Sequence, residues 1–352
     1  MADKFLYKEF KDIDLTDQFF DSLKNDYAEF EDWFNKKSNN GEKAYIQTID
    51  DKIEGFLYLK VEDGPITDVE PNMDFEKVVK IGTMKIDAHG TRLGERFIKK
   101  SLDFAIKNNI KHLYVTVFEK HRGLINLYEK YGFIRYATKN TDNGEEIVFL
   151  KNLEAISDDF RSNYPKVDTE SNTHLLGIYP AYHTRLFPDS ILNNEANDIV
   201  EDVSHTNSIE KIYISKMQGT KNLQSGDLLV IYRTGDGLGP ARYRAVATSI
   251  CTVDEVKSNK EFASFEDYKE FCKNYSIFSE TELRNFYNSP DEYYAIKMTY
   301  NIALSKRITR NELIQDVGLD EGAYWGFFDI TKCELEDILR RGNVSSGYIN
   351  IQ

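Results

Sequence analysis

Disulfide frameworks, zinc motifs and membrane spans all lack material in this chain. Its three cysteines, Cys251, Cys272 and Cys333, are odd in number and widely separated. That excludes a disulfide scaffold and gives no ligand spacing for zinc, so the thiols are expected to be reduced and packed, and no metal is expected. No apolar run approaches the roughly 18 residues of a membrane-spanning helix. The opening MADKFLYKEF sets charges among its apolar residues where a secretory leader would have an unbroken apolar stretch. A cytoplasmic protein with no membrane partner is therefore expected. Positive charge is also short: 45 Lys and Arg against 59 Asp and Glu leave a formal charge of −14. Non-specific attraction to nucleic acid is disfavoured, and any polyanion must find a specific local site. There is no internal repeat and no low-complexity tract.

What is present is enough for two cores. The chain has 352 residues, 41% hydrophobic and 30% charged, which at about 100 to 200 residues per domain predicts two domains. The polar stretch SDDFRSNYPKVDTESNT is the natural joint, placing a first domain at 1–155, a linker at 156–173 and a second domain at 174–352.

In the first domain a helical pattern runs from Leu15 to Lys37, then KAYIQTID and IEGFLYLKV read as a strand hairpin. After an acidic insertion, Glu62 to Asn72, come the strand KVVKIGTMKID, the turn HGTRLGE, the helix RLGERFIKKSLDFAIKNN, the strand HLYVTVF, the helix GLINLYEKYG and the strand EEIVFLKNL. The order is β, β, β, α, β, α, β. In the longer helix Leu93, Phe97, Ile98, Leu102, Ala105 and Ile106 recur at three- and four-residue spacing, so one face packs on a sheet. The free N–H groups at that helix start can cradle a phosphate where bulky Cβ atoms are missing. Gly90 and Gly94 suit such a cradle; they equally suit a tight turn and a close helix–strand approach.

This arrangement, over about residues 1–152, resembles the GNAT superfamily of N-acetyltransferases. The resemblance rests on the strand, glycine loop and helix at 78–108 and on HRGLINLYEKYGF at 121–133. In that family the loop Q/R-x-x-G-x-G/A holds the pyrophosphate of acetyl-CoA, and a downstream A-x-x-L-Y-x-K-x-G-F segment supplies a tyrosine. The resemblance therefore implies acetyl-CoA as cosubstrate, an amine acceptor, and cosubstrate binding by Met84, Lys85, Ile86, His89, Gly90, Thr91, Arg92, Leu93 and Gly94, with His121 where the family often has a pantetheine-contacting asparagine. His89 and Arg92 depart from the family pattern; Arg92 reads either as a bidentate phosphate partner or as a solvated helix residue. Tyr128 falls on the family tyrosine, the proton donor to the departing thiolate. The central strand offers no glutamate as base, leaving Glu119, His121, Glu54 or a water relay. Of these, Glu119 joins Tyr128 in the expected catalytic set. The alternative is a non-catalytic CoA- or nucleic-acid-binding regulator on a degenerate acetyltransferase fold.

The second domain offers HLLGIYPAY, EKIYISKM, GDLLVIYRT, ARYRAVATSICTVDEV and YYAIKMTYNIAL as strands, with helices near SFEDYKEFCKNY, SETELRNFYN and TRNELIQDVG. Strands outnumber helices, so a small barrel is expected. YISKMQGTKNLQSGDLLVIYRTGDGLGPARYRAVATSICTVDEV resembles the PUA-like superfamily, with its ASCH and EVE domains, over about 174–352. That resemblance implies a β-barrel with helices that recognises the substrate, RNA or a modified nucleotide, and Arg233, Arg242 and Tyr232 are the expected nucleic-acid contacts. The whole is expected to be α+β: a mixed-sheet GNAT fold followed by a PUA-like barrel.

Overall fold

In the computed structural model, which describes residues 3–87, 92–187 and 208–350, the chain forms two units. They are Met1–Asn163 and Tyr164–Gln352.

The first unit is a seven-stranded sheet in the order β1-β2-β3-β4-β5-β7-β6. Its strands are β1 (Asp3–Glu9), β2 (Lys43–Ile49), β3 (Lys52–Asp63), β4 (Lys77–Ile86), β5 (His112–Val117), β6 (Ile134–Thr141) and β7 (Gly144–Asn152). Every neighbouring pair is antiparallel except β4 with β5. Helices α3 (Leu93–Lys107) and α4 (Arg122–Lys130) bury their apolar stripes on one face. At Gly55 of β3 a Cβ would lie 2.6 Å from Leu93 Cδ2, so the missing side chain lets α3 sit close. The opposite face carries α1 (Asp21–Asp26) and α2 (Phe30–Asn39); Phe20, just ahead of α1, and Phe30 and Phe34 of α2 share a core with Phe10, Phe56 and Tyr58. Farther along that face, Ile66, Val69 and Met73 of the segment after β3 cover Val78, Tyr114 and Val148.

The long helical pattern from Leu15 to Lys37 is split: a 3₁₀ turn at Gln18–Phe20 leads into α1, and α2 starts afresh at Phe30. Strand β1 adds an edge that the predicted element order omits, and β6 supplies a hairpin partner for β7.

The second unit is not a closed barrel. Among the described residues its main sheet is open, in the order β10-β13-β12-β11-β9-β14, built from β9 (Thr173–Ile178), β10 (Glu210–Ser215), β11 (Leu228–Arg233), β12 (Val246–Ser258), β13 (Tyr294–Thr309) and β14 (Phe327–Ile330), while β8 (Val167–Asp168) pairs with β15 (Ile349–Asn350). The reason is visible in β11. Leu229 and Ile231 join a core with Tyr268, Cys272 and Leu283 of α7 (Phe265–Cys272) and α8 (Glu280–Asn288). Leu228, Val230 and Tyr232 join a second core with Leu335, Ile338 and Leu339 of a C-terminal helix, Lys332–Arg341. A barrel wall buries one face; this sheet buries both, which is why its strands read as continuous apolar runs. Two strand expectations also change. After β9, PAYHTRL turns into α5 (Pro180–Leu186), and ARYR forms the short α6 (Ala241–Arg244) ahead of β12. Among the described residues no helix is long and apolar enough to cross a membrane.

Candidate active site

The first unit's cleft is made by backbone. Strands β4 and β5 pair only at Val79–Leu113, Lys80–Tyr114 and Ile81–Val115, then part while β4 continues to Ile86. The opposite edge of β4 changes register at the same level: Tyr58 faces Thr83 and Leu59 faces Ile81, leaving Gly82 as the extra residue of a bulge. A Cβ on Gly82 would stand 2.7 Å from Tyr58 Cδ1, so glycine lets the strand bend against that ring. The parted strands open a cavity of about 740 Å³, within the range of a small-molecule site.

Several expected residues meet there. Met84, Lys85 and Ile86 line the cavity, as do His121 and Tyr128. Tyr128, in the last turn of α4, is buried between Phe133 and Phe149 and donates to Met84 Sδ at 3.3 Å. Burial raises its pKa well above the usual phenol range, so at neutral pH it holds the proton that a leaving thiolate needs. His121, just ahead of α4, places Nε2 3.6 Å from Asp26 Oδ2.

The glycine turn is only partly in view. His89, Gly90 and Thr91 lie outside the described residues. Leu93 is buried in the first turn of α3, and a Cβ on Gly94 would meet Leu127 Cδ2 at 2.7 Å, so Gly94 secures the approach of α3 to α4. Arg92 Nη1 lies 3.9 Å from the buried carboxylate of Glu95, which Lys130 also reaches at 3.2 Å. This ion pair holds Arg92 at the protein's own first helical turn.

Glu119 is placed elsewhere. It accepts from Arg135 at 3.0 and 3.4 Å, pairs with Arg122, and is absent from the cavity lining. The Arg135 hydrogen bond holds its pKa below the ordinary carboxylate value, and an exposed carboxylate clamped by two guanidiniums is a poor base. Glu54 does not line the cavity either.

Of the carboxylates that line the cleft, Asp26, Glu29, Asp87 and Glu146, the buried one is Glu146, at the head of β7. It is buried, lines the cavity and accepts from Tyr27 Oη at 3.0 Å. Tyr27 stacks on Phe118, and burial, then the Glu146 charge, pushes its phenol pKa upward, so it stays a donor and fixes the carboxylate. Beside it Lys80 lines the same wall with its ammonium 5.3 Å from the Tyr114 ring; burial lowers its pKa. Asp26, Glu29, Phe30 and Trp33 complete this mouth. Sequence reading passed over Glu146 because its strand is buried on both faces, so alternation does not single out one acid in GEEIVFL. Among the described residues no group of His, Cys, Asp and Glu is arranged to hold a metal ion.

A parted β4–β5 pair, a bulge at Gly82 and a buried tyrosine in the last turn of α4 now meet a direct comparison: residues 7–133 match the model of the acetyltransferase (GNAT) family. Residues 7–133 form a GNAT-family acetyltransferase domain. Among solved structures, a GNAT acetyltransferase from Elizabethkingia anophelis with acetyl-CoA bound is similar at 15% identity, over 43% of this chain and 99% of its own, with TM-score 0.33. Ard1 from Thermoplasma volcanium is similar at 16% identity over 43% and 98%, TM-score 0.32. A mutant ZmASCH protein from Zymomonas mobilis is similar at 8% identity over 48% and 94%, TM-score 0.33.

In the second unit the three expected nucleic-acid contacts do not form an exposed platform. Arg233 is buried and directs Nη1 at the Arg244 carbonyl at 3.5 Å. Arg242 is committed to Asn311 at 2.7 Å and Glu321 at 2.9 Å. Tyr232 is 2% exposed and packs on Trp325.

Proposed function

We propose that the GNAT domain transfers an acetyl group from acetyl-CoA to a primary amine that enters the cleft beside Glu146. The observation that carries this reading is the pairing, in one cavity, of a buried protonated phenol, Tyr128, with a buried carboxylate, Glu146. The unpaired edge of β4 from Gly82 to Ile86 offers backbone groups along which the pantetheine amides can align, and a backbone N–H there can stabilise the oxyanion. The N-terminus of α3 favours the phosphates. At the acceptor mouth Asp26, Glu29 and Glu146 favour an amine that arrives as a cation, and the rings of Phe30 and Trp33 cover its carbon chain. Glu146 takes one proton from the ammonium, the neutral amine attacks the thioester carbonyl, the C–S bond breaks as Tyr128 protonates the departing thiolate, and the second proton lost by the nitrogen returns the tyrosinate to phenol. The second unit selects the molecule that bears the amine.

Thiol release from acetyl-CoA in the presence of a panel of alkyl, peptidyl and nucleotide-linked amines tests this. Turnover with at least one amine, lost in Glu146→Gln and reduced in Tyr128→Phe, is expected. Turnover unchanged in both variants contradicts the assignment.

A further inference from the structure

The second unit carries a cavity of its own, of about 510 Å³, a size that accepts one small molecule. It opens at the carboxyl ends of the parallel pair β9 and β11: Tyr179 follows β9 directly, and Thr234 follows β11. Ends of parallel strands collect ligand sites because chains diverge there and leave a crevice. The loop that closes it approaches by backbone. Gly177 N–H donates to the Gly326 carbonyl at 2.7 Å, and a Cβ on Gly177 would lie 2.6 Å from the Trp325 carbonyl oxygen. This contact brings Trp325 against Tyr232, ring centroids 5.1 Å apart.

The lining is aromatic to an unusual degree. Tyr182, Tyr213, Tyr232 and Trp325 face it from within, while Tyr179 and Tyr324 line it with 66% and 70% of their surface exposed. Single exposed aromatics are ordinary, but two at the rim of an aromatic cavity form an unfilled stacking surface. Two polar atoms have unmet needs. Trp325 is 8% exposed, and its indole Nε1 has no hydrogen-bond partner among the described residues; nor has the buried Thr234 Oγ1. Buried donors are ordinarily satisfied, so these groups are suited to an entering acceptor.

Charge completes the description. Among the described residues no carboxylate belongs to the lining. Lys216 is neutralised by Asp291 at 2.5 Å, while the guanidinium of Arg310 lies 4.4 Å from the Trp325 ring centre and lines the cavity. A neighbouring depression of about 470 Å³ shares Lys216, Met217 and Tyr324 and leaves room for a substituent to continue outward.

The geometry points to a binding site in the second unit for a planar aromatic ring that carries a negative charge. The ring stacks on Tyr179 and Tyr324, an acceptor atom at its edge takes the in-plane Trp325 N–H, and its acidic group meets Arg310. A nucleoside monophosphate and an aromatic carboxylate share this chemistry. The described lining of the site belongs to the second unit, and its test uses no acetyl-CoA.

Trp33→Phe leaves Trp325 as the sole tryptophan, since the chain has two, so indole emission then reports this site alone. That variant is titrated with the four ribonucleoside monophosphates, their nucleosides and benzoate, and the same probes are added to the wild type by calorimetry. Saturable quenching by a monophosphate, with its nucleoside at least about tenfold weaker, identifies a nucleotide site; saturation by benzoate with the monophosphates silent identifies an aromatic carboxylate. Arg310→Gln weakens the charged ligand by about tenfold or more. Tyr324→Ala, at an exposed rim position that the fold does not need, weakens it by roughly three- to tenfold. Silence from every charged ring at millimolar concentration overturns the proposal. Binding of the nucleoside as tight as its monophosphate, or no loss in both variants, overturns it as well.

Discussion

The two units make their cavities by different means. In the first, backbone makes the cleft: β4 parts from β5 after Ile81, and the bulge at Gly82 bends it away. In the second, side chains make the cavity, with rings from Tyr179, Tyr213 and Trp325 brought together from segments far apart in sequence. A cleft made by backbone is robust to most side-chain changes and fragile at the glycine that permits it. A cavity made by side chains has its weak points distributed over its rings. The two also differ in charge among the described residues: carboxylates of Asp26, Glu29, Asp87 and Glu146 enter the first, and none enters the second.

The contrast is broken most severely at Glu146. Glu146→Gln keeps the shape of the cleft and removes its base, so kcat for amine acetylation falls by about 10² to 10⁴-fold at unchanged fold, read by thiol release alongside circular dichroism. Tyr128→Phe removes one proton donor and one hydrogen bond to Met84; a fall of about 10- to 100-fold in kcat is expected, with a smaller change in KM. Gly82→Val tests the backbone claim: the added branches meet Tyr58, and chemical denaturation should show the first unit destabilised by about 1 to 3 kcal/mol.

The second unit carries a pH-sensitive group of its own. His183 is completely buried and its Nε2 lies 2.8 Å from Thr248 Oγ1; burial, with Arg233 and Arg307 nearby, pushes its pKa down to about 3 from 6.5. The unfolded imidazole takes a proton at its ordinary value while the folded one resists. The stability contributed by neutral His183 is therefore complete above pH 6.5 and is lost as pH falls towards about 3, with a slope of up to about 1.4 kcal/mol per pH unit. Urea denaturation of wild type and His183→Asn across that interval should differ by this one-proton slope. The smallest effect is at Glu119: Glu119→Gln removes only exposed ion pairs with Arg122 and Arg135, so activity should stay within about twofold and the urea midpoint should stay unchanged.

What could be read from the residues follows the same division. Amphipathic α3 and the LYEKYGF segment carry local periodicity, and through them the order of strand, turn and helix was legible together with Tyr128. The parting of β4 from β5 is a property of paired strands, and only the glycine in IGTMKID hints at it. Glu146 was hidden because β7 is covered on both faces, so Glu145 and Glu146 look alike until Tyr27 arrives from another element. The same cause misled the barrel reading: LLVIYR is apolar throughout because helices cover both its faces. Its arginine, which looked like a surface cation, is buried at the strand end.

The most direct measurement of the central claim is a calorimetric titration of the full chain with acetyl-CoA, combined with thermal unfolding. One acetyl-CoA per chain is predicted, with a rise in the melting temperature of the first unit and loss of binding in Gly94→Trp, whose side chain would force α3 from α4. An absence of heat and of any thermal shift at millimolar acetyl-CoA would contradict the account.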